Sequence, residues 1–154
     1  FLWRFHKVHH SVEEMGFAAH LRYHWMENIF YKPLKTLALM LVIGAQPEHE
    51  FFVHFFSITI GHLNHANVRI TWGPLKYILN NSVMHLYHHA KVLPADRVKG
   101  VNFGISLSIW DYIFKKNYIP QDQDGDYVLG FEGIENYPKG FFGQLVSGFK
   151  KEKY

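Results

Sequence analysis

Two copies of one histidine pattern constrain the fold of this chain more than any other feature. The pattern H-x-x-H-H occurs at His6, His9 and His10 and again at His85, His88 and His89. Positions i, i+3 and i+4 of an α-helix lie within one arc of about 100°, so on a helix the three imidazoles of each triplet converge. The pattern therefore predicts two helices, each with three imidazoles on one side.

Three imidazoles from one helical turn are able to hold one face of a metal ion. Neutral imidazole is a good ligand for iron, zinc, copper and nickel. The chain has 12 histidines and no cysteine, which excludes thiolate ligands, disulfides, iron–sulfur clusters and a cysteine nucleophile. The two triplets therefore predict two metal ions on a site made almost entirely of histidine.

Five of the remaining histidines differ in their surroundings. His65 ends an apolar run, where a buried histidine needs a partner, so we predict that it is a further ligand. His54 and His62 share that run and are predicted to be structural, or in the case of His62 to support a ligand. His20 and His24 flank an arginine, whose positive charge disfavours a cation, so neither is predicted to bind metal; His24 is a candidate supporting residue.

Size and charge exclude several classes of protein. The 154 residues are predicted to form a single domain, and 48% hydrophobic against 19% charged residues excludes a disordered chain. The net charge is only +3, and the basic residues are scattered, with Lys115-Lys116 and Lys150-Lys151 as the adjacent pairs. We therefore predict no nucleic-acid partner.

The predicted fold is mostly α, a membrane-associated helical bundle with short apolar helices and a loop-rich C-terminal tail from Pro120. Two apolar runs, residues 34–43 and 51–61, are interrupted by Gly44 and Pro47, and neither reaches the 18 or so residues of a confident span. They are consistent with a buried helical hairpin, a re-entrant pair, or short spans on one face of a bilayer. The mean hydropathy of -0.12 favours the buried soluble hairpin, whereas lysines flanking the first run favour the membrane.

A third segment, residues 101–116, shows apolar residues at helical spacing. This periodicity predicts an amphipathic helix whose apolar face is packed: Phe103, Leu107, Trp110, Ile113 and Phe114.

Other sites are excluded by their motifs. The start of a calcium loop is resembled by three alternating aspartates, Asp122, Asp124 and Asp126. Such a loop needs glycine at its sixth place and glutamate at its twelfth. Here glycine stands at the fourth and twelfth places instead, so a calcium loop is excluded. The sequence has no H-E-x-x-H, G-x-S-x-G, P-loop or G-x-G-x-x-G motif, which removes the zincin, hydrolase, NTPase and Rossmann interpretations.

A set of ordered segments resembles one known family. They are residues 3–11 (WRFHKVHHS), 21–27 (LRYHWME), 65–68 (HANV), 85–89 (HLYHH), 102–104 (NFG) and 110–114 (WDYIF). Together they resemble the fatty acid hydroxylase / sterol desaturase superfamily of membrane histidine-box di-iron enzymes, and the resemblance covers nearly the whole chain. The LRYHWME and HAN details are similar to the sterol desaturase side of that superfamily.

The resemblance implies a specific ligand set. The two triplets match the second and third histidine boxes, and His65 matches the histidine between them. The first box is missing and is expected just before Phe1, so this chain is expected to be the C-terminal part of such an enzyme and to be inactive alone. Asn102 and Asp111 match recurrent family positions and are expected to orient imidazoles. Phe114-Lys115-Lys116 stands where the family usually reads F-G-T.

The resemblance also implies an activity. It is that of an oxidoreductase that uses two iron ions, or zinc as a substitute, and O2 to hydroxylate or desaturate a sterol-, fatty acyl- or ether-lipid-like substrate. Such an enzyme is an integral membrane protein of the bacterial inner membrane or the endoplasmic reticulum. Since no flavin, haem or nicotinamide motif is present, its electrons are expected from an external cytochrome or ferredoxin.

Two alternatives remain open on the sequence. A non-catalytic membrane protein could keep this fold and bind zinc through the same histidines. A soluble helical di-metal hydrolase is the other alternative.

Overall fold

The structure, a computed structural model, describes residues 1–120 and 127–149. The described part is mostly helical, as predicted, and its β-structure is a single bridge between Ala90 and Leu129. The acidic motif of residues 122–126 lies outside the described residues. The helices are α1 (Trp3–His10), α2 (Phe17–His20), a π-helix (Glu27–Tyr31), α3 (Lys32–Ile43), α4 (Pro47–His65), α5 (Ser82–His88), α6 (Ile109–Ile113) and α7 (Phe141–Leu145), with 3-10 turns at Gly73–Tyr77, Ile134–Asn136 and Ser147–Phe149.

The two histidine triplets lie on helices, which confirms the prediction from their spacing. α1 carries the first triplet, and α5 carries the second, with His89 as its C-cap. The start of α5 is fixed by Asn81, whose side chain accepts a hydrogen bond from the Met84 amide at 2.9 Å. α1 ends where the Ser11 amide turns back to the Val8 carbonyl.

α4 brings His65 to the triplets. It begins with Pro47 in its first turn and with Glu48 and Glu50 near its positive end, both favourable for a helix start. Its last turns are buried against α5 and α2, and His65 is its final residue. The first two thirds of α4, by contrast, remain exposed.

The apolar runs do not bury each other. α3 has no buried residue, and Leu41 and Val42 near its end are 76% and 82% exposed. The phenylalanines that open α4 are exposed as well. The buried helical hairpin that the soluble interpretation required is therefore wrong. Within the described ranges, none of the helices has both the length and the hydropathy needed to cross a membrane.

The amphipathic helix predicted over residues 101–116 is wrong in extent and orientation. Only α6 is helical there, and its single buried residue is Asp111, while Trp110 is 54% exposed. The reason is that the Asp111 carboxylate accepts the Phe103 and Gly104 amides at 2.7 and 2.9 Å, which turns the polar side of α6 inward.

The centre of the molecule is polar. Among the described residues, more polar than apolar side chains are buried, the inverse of an ordinary core. Small apolar clusters, one around Val83 and Val101 and another around Val12 and Met15, pack beside this centre. The fold therefore encloses a cluster of imidazoles and leaves apolar helices outside.

Candidate metal centre

The seven histidines predicted as ligands meet at the centre of the fold. They form two groups, and within each group the ring nitrogens that could bind metal all lie within 4.8 Å of one another. The four-histidine group is His9, His65, His85 and His89, and the three-histidine group is His6, His10 and His88. The His10 and His89 rings stack at 4.2 Å, so the two groups are adjacent.

The four-histidine group has the spacing of a metal site. The Nε2 atoms of His9 and His65 lie 3.1 Å apart, those of His65 and His85 3.0 Å, and those of His85 and His89 3.2 Å. Two nitrogens bound at right angles to one ion at about 2.1 Å lie about 3.0 Å apart. All four side chains are buried, which keeps water from competing for the ion.

The protonation of two of these rings is set by the backbone. His9 Nδ1 donates to the Arg22 carbonyl at 3.1 Å, and His65 Nδ1 donates to the Gly61 carbonyl at 2.7 Å. Because a carbonyl only accepts, both protons lie on Nδ1 and both Nε2 atoms carry lone pairs. Two lone pairs facing each other at 3.1 Å repel, and a shared cation turns that repulsion into attraction.

Burial keeps these rings neutral. It lowers the pKa of His9 to about 2 and that of His65 to about 4, and it holds the pKa values of His85 and His89 well below the ordinary value. The neighbouring histidines add to this effect. Neutral imidazole is the metal-binding form, so the site is ready for a cation at neutral pH.

The three-histidine group is built in the same way. His88 Nδ1 donates to the Val101 carbonyl at 3.0 Å, and burial lowers the pKa of His88 to about 4. His10 Nε2 is buried without a hydrogen-bond partner in the described part of the chain, and burial holds the pKa of His10 well below its usual range. His6 Nδ1 lies 2.9 Å from a carboxylate oxygen of Glu27.

The sequence model described as fatty acid hydroxylase matches residues 1–116. The chain belongs to the fatty acid hydroxylase family. The superfamily resemblance carried by the histidine segments is thereby confirmed. No solved structure matches this family member.

Three curated relatives are similar to this chain over most of its length. Ornithine lipid hydroxylase OlsE of Rhizobium tropici is 32% identical and covers 98% of the chain and 44% of its own length. The alkylglycerol monooxygenases of Caenorhabditis elegans and Xenopus tropicalis are 28% and 26% identical and cover 88% and 83% of the chain. The matches take in 26% and 27% of those two proteins. This fatty acid hydroxylase chain thus spans less than half the length of each relative.

Asn102 and Asp111 do not contact the imidazoles that they were expected to orient. Asn102 donates to the Met84 and Tyr118 carbonyls at 2.8 Å each and accepts the Tyr118 amide at 2.7 Å. The hydrogen bonds of Asp111 likewise go to backbone amides. Both side chains therefore act on the loop after α5, which includes the Val101 carbonyl that holds His88.

The predicted supporting histidines have different surroundings. His24 donates from Nε2 to the Leu145 carbonyl at 2.9 Å and accepts the Met26 amide at Nδ1, so neither nitrogen is free for a metal. The His62 ring stacks on Phe17 and meets the edge of the His20 ring at 4.3 Å. His54 is exposed on α4.

His20 is closer to the site than its sequence neighbourhood indicated. Its ring is buried and stacks on His65, with ring centres 4.9 Å apart. The charge of Arg22 is no obstacle, because that guanidinium turns to the Ser11 hydroxyl at 3.1 Å. Neither nitrogen of His20 belongs to either metal-binding group.

Sequence reasoning missed two residues between α2 and α3. The Tyr23 ring stacks on His9 at 4.9 Å, almost parallel, and burial raises the pKa of Tyr23 to about 12. Glu27 is buried and contacts His6. Both lie in the segment LRYHWME, so its resemblance to the family was the available signal.

Proposed function

We propose that the full-length gene product is a membrane-bound di-iron oxidoreductase that hydroxylates a lipid with O2. The observation that carries the proposal is the pair of adjacent, buried, neutral histidine groups, with the lone pairs of His9 and His65 3.1 Å apart. Family membership supports oxygen chemistry on a lipid, and the relatives are named as one lipid hydroxylase and two alkylglycerol monooxygenases. The names of these relatives favour hydroxylation over desaturation.

The residues of this chain have separate tasks in that activity. His9, His65, His85 and His89 hold one iron ion, and His6, His10 and His88 contribute to holding the other. Bound iron would supply the reduction of O2 and the oxidation of a C–H bond. The carbonyls of Arg22, Gly61 and Val101 fix three rings with Nε2 free, and burial of the His9, His65, His85 and His89 side chains limits the access of water to their nitrogens.

The electrons have to come from outside this chain. The sequence contains no flavin, haem or nicotinamide motif, and two irons alone store too few electrons for repeated turnover. We assign this task to an external donor of the cytochrome or ferredoxin type.

Metal analysis combined with an oxygen assay tests the proposal. We expect the full-length protein, purified in detergent without oxygen, to contain two iron ions per chain. With a reductant and a lipid it should consume O2 and release lipid that has gained one oxygen atom. A protein that binds only zinc and consumes no O2 under these conditions would be the metal-stabilised scaffold instead, since all-imidazole ligands suit zinc equally well.

The apolar helices outside the core are proposed to contact lipid. α3 is apolar and entirely unburied, and the exposed phenylalanines of α4 continue the same kind of surface. An exposed apolar area of this extent marks a membrane or a partner, and family membership favours the membrane. The substrate would then reach the histidine groups from the bilayer, since α4 runs from this surface to His65.

Depth measurements test this contact with lipid. This chain has no cysteine, so a Leu41→Cys variant can carry a polarity-sensitive fluorophore, with any cysteine elsewhere in the gene product replaced by serine. We expect quenching by lipids that carry nitroxide on their acyl chains and little quenching by iodide. Val98→Cys is the matched control, since Val98 is 73% exposed and lies outside both apolar helices. Equal iodide quenching at the two positions would contradict the contact.

A further inference from the structure

We propose that Glu27 is a positioning residue that makes the three-histidine site chemically distinct from the four-histidine site. The inference rests on the proposed binding of two metal ions. His9, His65 and His88 are each supported at Nδ1 by a neutral backbone carbonyl. His6 is supported by a carboxylate, 2.9 Å away. Among the described residues, Glu27 is the one acidic side chain in contact with the seven histidines.

The backbone places Glu27 for this task. It is the first residue of the π-helix, and its amide is held by the His24 carbonyl at 3.0 Å. Short π-helical segments are often found at functional sites. The π-helix continues directly into α3, so Glu27 lies at the junction between the imidazole cluster and the apolar helix.

Glu27 has too few partners for a buried anion. The residue is 7% exposed, and its Oε1 atom is buried with no hydrogen-bond partner in the described ranges. The charge of Lys32 interacts with that of Glu27, but the Lys32 ammonium donates its hydrogen bond to Asn28 at 2.9 Å and lies over the Tyr23 ring. A buried carboxylate that no cation bonds directly is costly. An ion bound at Nε2 of His6 supplies the missing positive charge through the imidazole.

The positive charge of two bound ions makes the negative charge of Glu27 important for metal affinity. Two divalent ions bring four positive charges, and seven neutral histidines bring no compensating charge. A carboxylate hydrogen-bonded to a ligand imidazole fixes the ring and strengthens its donation to the metal, and losing such a partner typically costs about 10- to 100-fold in affinity. Because His6 is the one ligand imidazole that is hydrogen-bonded to Glu27 in the described part of the chain, this loss should fall on one of the two sites.

Metal titration of the full-length metal-free protein with Co²⁺ tests the inference. Glu27→Gln keeps an oxygen acceptor for the His6 N–H and removes the charge. We expect it to bind one ion with wild-type affinity and the second at least about 10-fold more weakly. Glu13→Gln, at a side chain that is 81% exposed, should bind both ions as wild type does.

A double-mutant cycle separates positioning from general destabilisation. If Glu27 acts through His6, the His6→Ala/Glu27→Gln double variant should bind the second ion no more weakly than His6→Ala alone. Additive losses would indicate a structural role and overturn the inference. Glu27→Asp keeps the negative charge but moves it away from His6, because its side chain is one methylene shorter. Its affinity for the second ion should lie between those of wild type and Glu27→Gln. This variant serves as the test if Glu27→Gln does not fold.

The outcomes also separate this inference from the proposed function. A wild-type protein that binds two ions, together with a Glu27→Gln variant that binds both with unchanged affinity, would overturn the role of Glu27 and leave the di-metal proposal intact. A wild-type protein that binds fewer than two ions would overturn both.

Discussion

Replacing His9 by alanine in the full-length protein is expected to remove the ion of the four-histidine group and to reduce lipid hydroxylation to background. His9 is where the two groups meet: its Nε2 faces His65 at 3.1 Å, and its ring lies 5.0 Å from that of His6 and 4.7 Å from that of His89. Alanine supplies no donor atom and leaves a buried cavity beside the Nε2 lone pair of His65. Iron content per chain and hydroxylated lipid are the two measurements.

Matched variants show whether this loss is specific. His88→Ala should abolish hydroxylation by removing a ligand of the other group, while the protein is still expressed. His54→Ala removes the same kind of side chain from an exposed position on α4 and should leave both measurements at wild-type levels. Full turnover by His9→Ala or His88→Ala would remove the assignment of the histidine groups.

The ligand groups could be predicted because their spacing is local. Helical periodicity places His85, His88 and His89 on one side of α5 whatever surrounds the helix, and the structure has them there. The contact between α1 and α5 is not local in the sequence. It was predicted from metal chemistry, because two sets of imidazoles without a shared cation have no reason to be buried together. The meeting of the seven histidines agrees with that reasoning.

The supporting residues could not be predicted from periodicity. Tyr23 lies in the irregular stretch after α2 and Glu27 at the start of the π-helix that follows it, where no repeat indicates which side chain faces inward. His20 was set apart because of a neighbouring arginine, yet the direction of one side chain removes that charge from the site. These contacts depend on tertiary placement, which a spacing pattern does not encode.

Apolar periodicity was ambiguous for a different reason. Residues 34–43 and the face of α6 that carries Trp110 have the composition of a core, but the structure leaves both exposed. A pattern of apolar residues shows that a surface avoids water and does not show whether protein or lipid covers it. In this fold the inside is occupied by imidazoles, so much of the apolar surface faces outward.

The same polar centre should make the metal-free protein sensitive to acid. The pKa values of His9, His20 and His65 in the folded protein are about 2, 3 and 4, against 6.5 for an ordinary histidine. Below pH 6.5 these three histidines bind protons in the unfolded chain but stay neutral in the folded chain. Stability is therefore fully present above about pH 6.5 and is lost as the pH falls towards these lower values.

The free energy of unfolding is expected to depend steeply on pH. Each such group contributes up to about 1.4 kcal/mol per pH unit, so three contribute up to about 4 kcal/mol per unit, a large part of the stability of a small domain. We expect the metal-free protein in detergent to lose most of its free energy of unfolding between pH 6.5 and 5. The loss should be measured by denaturant unfolding across that range.

Two comparisons identify the histidines as the cause. His20→Gln removes one titrating ring that binds no metal, so the slope should fall by up to about 1.4 kcal/mol per pH unit. Protein loaded with metal should keep its stability to lower pH, because ions that bind only the folded state compete with the protons. Equal stability of the metal-free protein at pH 7 and pH 5 would mean that these imidazoles are not buried as neutral rings, and the preformed metal site would be lost with them.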